Sequence, residues 1–311
     1  MKELPALLEA AVGGERAALA RLLTLAERGG PDGAEVARLS HPLTGNAVTI
    51  GITGAPGSGK STLTSALCET ARSAGQRIAV LAVDPSSPFS GGAILGDRVR
   101  MSGHALDEGV FIRPMATRGH LGGLAVATPA AIRVLDAVGF PTVIVETVGV
   151  GQVEVEIAGA ADTTVVVVNP GWGDSVQANK AGLMEIADLF VINKADRPGA
   201  GDTLRDLQQM LMLSSPGVWT PPILETEATS GRGVDELWQA LGEHGRHLAA
   251  SGELQVRRAA RSAEEFRSAL AAALLERVEH MAGAGRFERL LDQVVARELD
   301  PLSAVAELLS D

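Results

Sequence analysis

Cysteine occurs once in this chain, as Cys68, which excludes an internal disulfide and the disulfide-stapled class of small secreted folds. Inside a helical stretch, a lone thiol reads as a small buried apolar side chain rather than a nucleophile. Long apolar runs are missing too: none approaches the roughly 18 residues that suggest a membrane-spanning helix. The opening Met-Lys-Glu-Leu-Pro, with acidic residues soon after, lacks the apolar core and cleavage pattern of a signal peptide. Basic residues are outnumbered by acidic ones, 27 against 38 with a net charge of -11, so nothing neutralises a run of phosphates wholesale and nucleic acid is not the expected main partner. Repeats and low-complexity segments are absent as well. What is left, 46% hydrophobic and 21% charged, has the balance of a soluble globular protein, for which a reducing, cytoplasmic setting is expected. A pocket for one nucleotide survives all of these exclusions.

The most informative stretch runs from 47 to 62. Ala47 to Thr53 is a β-branched apolar run of strand length, and Gly54-Ala55-Pro56-Gly57-Ser58-Gly59-Lys60-Ser61-Thr62 follows with the spacing Gly-x-x-x-x-Gly-Lys-Ser. Glycines there permit positive φ and remove Cβ atoms, so consecutive backbone N–H groups can curl around a polyphosphate. Lys60 would reach the β and γ phosphates, Ser61 would offer its hydroxyl to Mg²⁺, and the helix starting there would aim its positive end at the anion.

Further buried-type strands are expected at Arg77–Val83, Thr142–Val145, Thr163–Val168 and Leu189–Ile192, with a short last strand in 221–226. In an open parallel sheet, ligands gather outside the carboxyl ends of the strands. Asp84 ends one such strand and Glu146 another, with Gly149 three residues on, where a bare N–H can meet a terminal phosphate and release it. Between them lies a glycine-rich polar segment carrying Asp97, Arg98, Gly109–Arg113, Arg118 and Leu121-Gly-Gly123; it reads as a nucleotide-sensing switch or a connector. Asn193-Lys194-Ala195-Asp196 is the second strong motif. A carboxylate placed edge-on accepts from both N1–H and N2–H₂ of guanine, and adenine offers no such donor pair. Lys194 would cover the base with its stem and Asn193 would tie the loop together. Helical patterns precede residue 45 and fill the chain beyond Val234.

These motifs, with Val83-Asp84-Pro85-Ser86-Ser87, Val145 to Gln152 and Glu185-Ile-Ala-Asp188, make the chain closely resemble the methylmalonyl-CoA mutase-associated GTPases, the MeaB/ArgK group of P-loop G3E-type GTPases. The resemblance runs from about Ala17 to Trp238. It implies an α/β P-loop NTPase fold whose mostly parallel central sheet is flanked by helices. Residues 1–45 would be a helical N-terminal extension, 46–250 the GTP-binding domain and 251–311 a helical dimerisation arm. GTP or GDP and Mg²⁺ are the implied cofactors, with Lys60, Asp84, Asp97, Glu146 and Gly149 around the reacting phosphate and Ser61, Asp84, Asp97 and Glu146 around the metal. Glu227, Ala228 and Thr229 would complete the base loop, the N–H of Ala228 meeting guanine O6, although Glu227-Ala228 stands where the family usually carries Ser-Ala. Asp174, Gln177 and Lys180 fall in the loop that reports nucleotide state to a partner. The implied role is a homodimeric G-protein chaperone that gates cofactor loading of an adenosylcobalamin-dependent acyl-CoA mutase and protects or reactivates it. The alternative is the group's older label, an ATP-dependent kinase or ATPase of a lysine/arginine/ornithine transport system.

Overall fold

Runs of Val and Ile with no polar interruption make parallel strands when helices cover both of their faces. The computed structural model describes residues 3–84, 102–104, 106–116, 127–147, 153–171, 182, 185–213, 218–282 and 284–309. Among these, seven strands form one sheet: β1 (Val48–Thr53), β2 (Ile78–Asp84), β3 (Val110–Ala116), β4 (Thr142–Thr147), β5 (Thr163–Val168), β6 (Leu189–Asn193) and β7 (Ile223–Thr226). Their order is β3-β2-β4-β1-β5-β6-β7, and every pairing is parallel. β1 lies between β4 and β5, with Gly51 opposite Val145 on one side and Thr164 on the other. The loop that follows β1 therefore opens where the strand order reverses, the usual place for a ligand in such sheets.

Alternate residues of the strands face opposite sides of the sheet and, among the described residues, supply three apolar clusters, the smallest of them Val166, Val168, Phe190 and Ile192 with Ala200 and Leu207. Ala79, Leu81, Val83, Val143 and Val145 pack with Leu135 and Ile157 and with Leu19, Leu22 and Leu23 of the N-terminal helices. Ile50, Ile52, Val80, Ile144, Val165 and Val167 pack on the other face against Leu63, Leu67, Leu237 and Leu241. Three helices precede β1: α1 (Glu3–Val12), α2 (Arg16–Arg28) and α3 (Gly30–Ser40). They are fastened to the sheet edge by polar bonds as well, for the Arg113 guanidinium donates to Glu27 at 2.7 and 2.9 Å and Arg16 donates to the carbonyls of Asp107 and Val110 at 2.9 and 3.0 Å. Residues 109–113, read from the sequence as part of a polar connecting segment, turn out to lead into and form the edge strand β3. An edge strand tolerates Pro114 because only one side of it is paired.

At the opposite end from the β1 loop, two consecutive arginines close the sheet. Arg257 forms a two-pronged pair with Asp188, both contacts at 2.9 Å, and Arg258 pairs with Asp162 at 2.8 and 3.2 Å. These aspartates immediately precede β6 and β5, and Asp162 and Asp188 also accept the N–H groups of Thr49 and Thr164. Beside them His244 is wholly buried, its Nδ1 2.8 Å from the Thr163 hydroxyl, its Nε2 3.4 Å from Asp188 and its ring against Trp219. Burial lowers the His244 pKa below the ordinary imidazole value, with Asp188 pulling upward and Arg257 and His247 adding to the depression. The folded protein thus holds this proton more weakly than the unfolded chain, so stability present above about pH 6.5 is lost as pH falls. Thermal melts at pH 7.5 and 5.5 should show a fall of a few degrees that shrinks in His244→Asn. An equal fall in both proteins would assign the acid sensitivity to other groups.

The chain divides into two compact units, one ending at Arg258 and the next beginning at Ala259, within the continuous helix Glu253–Ala282. In the second unit Asp300 caps the helix Pro301–Leu309, accepting the N–H groups of Leu302 and Ser303 at 3.0 Å. No helix of the described residues is long and apolar enough to cross a membrane.

Candidate functional site

The turn between β1 and α4 (Lys60–Ser73) depends on glycine at two positions. Gly54 has φ +137°, and a Cβ there would lie 2.0 Å from the carbonyl oxygen of Val167. Gly59 has φ +93°, and its missing side chain is replaced by the Asn193 amide, 2.3 Å from where a Cβ would sit. Lys60 is buried at 6% exposure, and its ammonium donates to the carbonyls of Gly54 at 2.6 Å and Ala55 at 3.0 Å. A cation drawn back over its own loop keeps the curled backbone together and stays within the cavity. That cavity, about 460 Å³, is lined by Pro56, Gly57, Gly59, Lys60, Ser61, Thr62 and Lys194. Ser58 is buried beneath it.

Asn193, at the end of β6, joins three segments. Its Nδ2 donates to the carbonyl of Ser58 at 2.9 Å, while its Oδ1 accepts from the Thr226 hydroxyl at 3.1 Å and the Ala228 N–H at 3.2 Å. The two sequence motifs are thereby bonded to each other. Lys194 adopts φ +60°, an uncommon conformation for a side chain of this size, and its ammonium donates to the carbonyl of Gly57 at 2.6 Å. Asp196 is exposed on the turn two residues beyond. Glu227 pairs with Arg232 at 2.5 Å and accepts the Ser230 hydroxyl at 2.9 Å, so this departure from Ser-Ala clips the turn 227–232 closed. Thr229 is exposed within it. The Ala228 N–H, expected to meet guanine O6, donates in this structure to Asn193 Oδ1 at 3.2 Å. Thr226 and Arg232, which reading the sequence passed over, complete the junction; Thr226 immediately precedes the Glu227-Ala228 pair and Arg232 lies four residues beyond it.

At the start of α4, Ser61 Oγ donates to Glu146 Oε1 at 2.5 Å, with both residues buried. This hydroxyl and carboxylate, one from the helix start and one from the end of β4, fit a hard cation that takes oxygen ligands and keeps phosphate and water in its remaining positions. Such a site needs no cage of protein carboxylates, and among the described residues no group of three His, Cys, Asp or Glu side chains is placed to hold a metal. Asp84 is the last residue of β2; its side chain lies outside what the structure describes. Asp97, Arg98, Arg118, Gly149, Asp174, Gln177 and Lys180 lie outside the described residues altogether. Cys68 is buried, and burial, with the charge of Glu146 adding to it, pushes its thiol up to about 12. It is an inert packing residue.

Comparison with known proteins places this geometry in context. The family described as Methylmalonyl Co-A mutase-associated GTPase MeaB matches residues 19–282. A putative GTPase of Pyrococcus abyssi is 50% identical over 302 residues, covering 96% of this chain and 93% of the relative. The GTPase ArgK of Escherichia coli is 41% identical over 265 residues, covering 82% and 80%. Among solved structures, one described as a LAO/AO transport system kinase superposes with a TM-score of 0.72 at 30% identity, covering 99% of this chain and 97% of that one.

Proposed function

As the chain belongs to the MeaB family of methylmalonyl-CoA mutase-associated GTPases, we propose that it is a Mg²⁺-dependent G-protein chaperone of an adenosylcobalamin-dependent acyl-CoA mutase, acting in the cytoplasm. GTP hydrolysis is the activity of the family; the partner is our inference from the family's description. The observation that carries the nucleotide site is the bond from Asn193 to the Ser58 carbonyl, 2.9 Å, since a direct link between the glycine-rich loop and the Asn193–Asp196 motif supports one nucleotide spanning both. In this reading Lys60 exchanges the Gly54 and Ala55 carbonyls for phosphate oxygens. Ser61 and Glu146 would hold Mg²⁺, which would supply positive charge against the phosphates, with Asp84 and Asp97 as the further acidic candidates. Asp196 orients the base.

The reporting loop with Asp174, Gln177 and Lys180 would pass nucleotide state to the mutase, gating cofactor loading and favouring its protection or reactivation. The arm after residue 250 supports a homodimer. Phe266, Leu270 and Leu274 recur every fourth residue along one helical face and are 68%, 47% and 53% exposed, more apolar surface than a lone helix leaves in water without cost. Affinity capture of the tagged full chain, with GDP and with a non-hydrolysable GTP analogue, should retain a cobalamin-dependent mutase in a nucleotide-dependent amount, and sizing of the captured chain should give two copies. If no such mutase is retained with either nucleotide, the chaperone role fails and the GTPase stands alone.

A further inference from the structure

α4 carries the Ser61 hydroxyl in its first turn and Ser65 about 6 Å further along its axis. Ser65 Oγ lies 2.8 Å from Nε2 of His104, and either can donate according to the imidazole tautomer. His104 closes the short helical turn Ser102–His104 and is only 8% exposed, so a ring nitrogen without this partner would be costly. Two turns lower on the same helix, Arg72 pairs with Asp107 at 3.0 and 3.1 Å. Asp107 in turn accepts the Gly109 N–H at 2.8 Å. Residues 102–109 are therefore gripped twice by α4, once at its foot next to β3 and once within a turn of the Ser61–Glu146 pair.

The lower grip lies beside β3, which is already paired along its length with β2. The upper one does not serve the sheet, and it sits where the metal-binding hydroxyl must be held. We propose that His104 is a positioning residue for GTP hydrolysis: through Ser65 it fixes the first turn of α4, and with it Ser61. The proposal rests on the Lys60–Ser61 cavity being the polyphosphate site.

The test is a set of variants, His104→Ala, Ser65→Ala, their double and His104→Gln, each measured for single-turnover GTP hydrolysis, GDP affinity and melting temperature. His104→Ala and Ser65→Ala should each slow hydrolysis roughly tenfold, with GDP affinity within about twofold of wild type because the Arg72–Asp107 grip keeps the segment docked. The double variant should be no slower than the singles, since both remove one interaction. Glutamine, which can still bond to Ser65, should restore most of the rate. Hydrolysis by His104→Ala within about twofold of wild type would overturn the proposal. So would a slowing matched by lost GDP affinity and lost melting temperature that glutamine fails to restore, which is a structural role only. Lys60→Ala separates the two readings: if that variant keeps its nucleotide, the site itself is elsewhere, whereas lost binding there alongside unchanged hydrolysis in His104→Ala sinks the positioning role alone.

Discussion

Replacing Lys60 by alanine is expected to lower kcat/KM for GTP hydrolysis by about a hundred- to a thousandfold while the chain stays folded. A fixed cation aimed at charge that builds on a transferring phosphoryl group contributes on the order of 3–4 kcal/mol in a water-poor site. Lys60 is nearly sealed from solvent, so bulk water cannot take its place. The ammonium also has a second task, since it holds the carbonyls of Gly54 and Ala55. Removing it leaves two oxygens pointing into the cavity where anionic phosphate should go, and nucleotide affinity should fall with the rate. Arginine should not rescue, because a planar guanidinium does not fit a space shaped for one compact ammonium. Circular dichroism would establish that the sheet survives, as expected when the strand cores on both faces are untouched. A variant hydrolysing GTP within about twofold of wild type would mean the phosphates bind elsewhere.

The phosphate loop and the base motif were legible because each is a local pattern whose backbone demands are written in consecutive residues. β4, β5 and β6 were legible for a related reason: strands covered on both faces must be apolar throughout, and Val165 to Val168 are fully buried. β3 escaped detection because an edge strand is released from that demand. Its Arg113 reaches Glu27, 86 positions earlier in the chain, and such a pair leaves no trace in local sequence. What was missed in the site is partly local and partly long-range. The sequence offered Glu227 as a departure from the family's serine, but not that the turn after it brings Ser230 and Arg232 back onto its carboxylate. Asn193 could be expected to tie its loop, yet its second acceptor bond, to the Ala228 N–H, follows from where β7 ends beside β6. Ser65 and His104, or Arg257 and Asp188, are unremarkable as letters and meaningful only as neighbours.

Asp196→Asn should weaken GTP by roughly a hundredfold or more and improve binding of xanthosine triphosphate, because it reverses half of the hydrogen-bonding pattern offered to the base. A carboxylate accepts two bonds, matching N1–H and N2–H₂ of guanine; an amide accepts one and donates one, so a donor then faces a donor. Bonds to a charged partner are each worth about 1.5–3 kcal/mol, and a polar site left mismatched discriminates far more strongly than an apolar one. Xanthine carries a carbonyl where guanine carries its amino group, and the new amide can donate to it. Position supports the expectation: Asn193 is locked to the phosphate loop, Lys194 is held in a strained conformation with its ammonium on Gly57, and Asp196 follows on the exposed turn. The same titration decides between GTPase and transport kinase. Wild-type protein should ignore ATP, whose base presents an acceptor at N1 and no amino group at C2. ATP binding as tight as GTP, together with an unchanged preference in the variant, would make Asp196 an ordinary solvated turn residue and would leave the kinase reading standing.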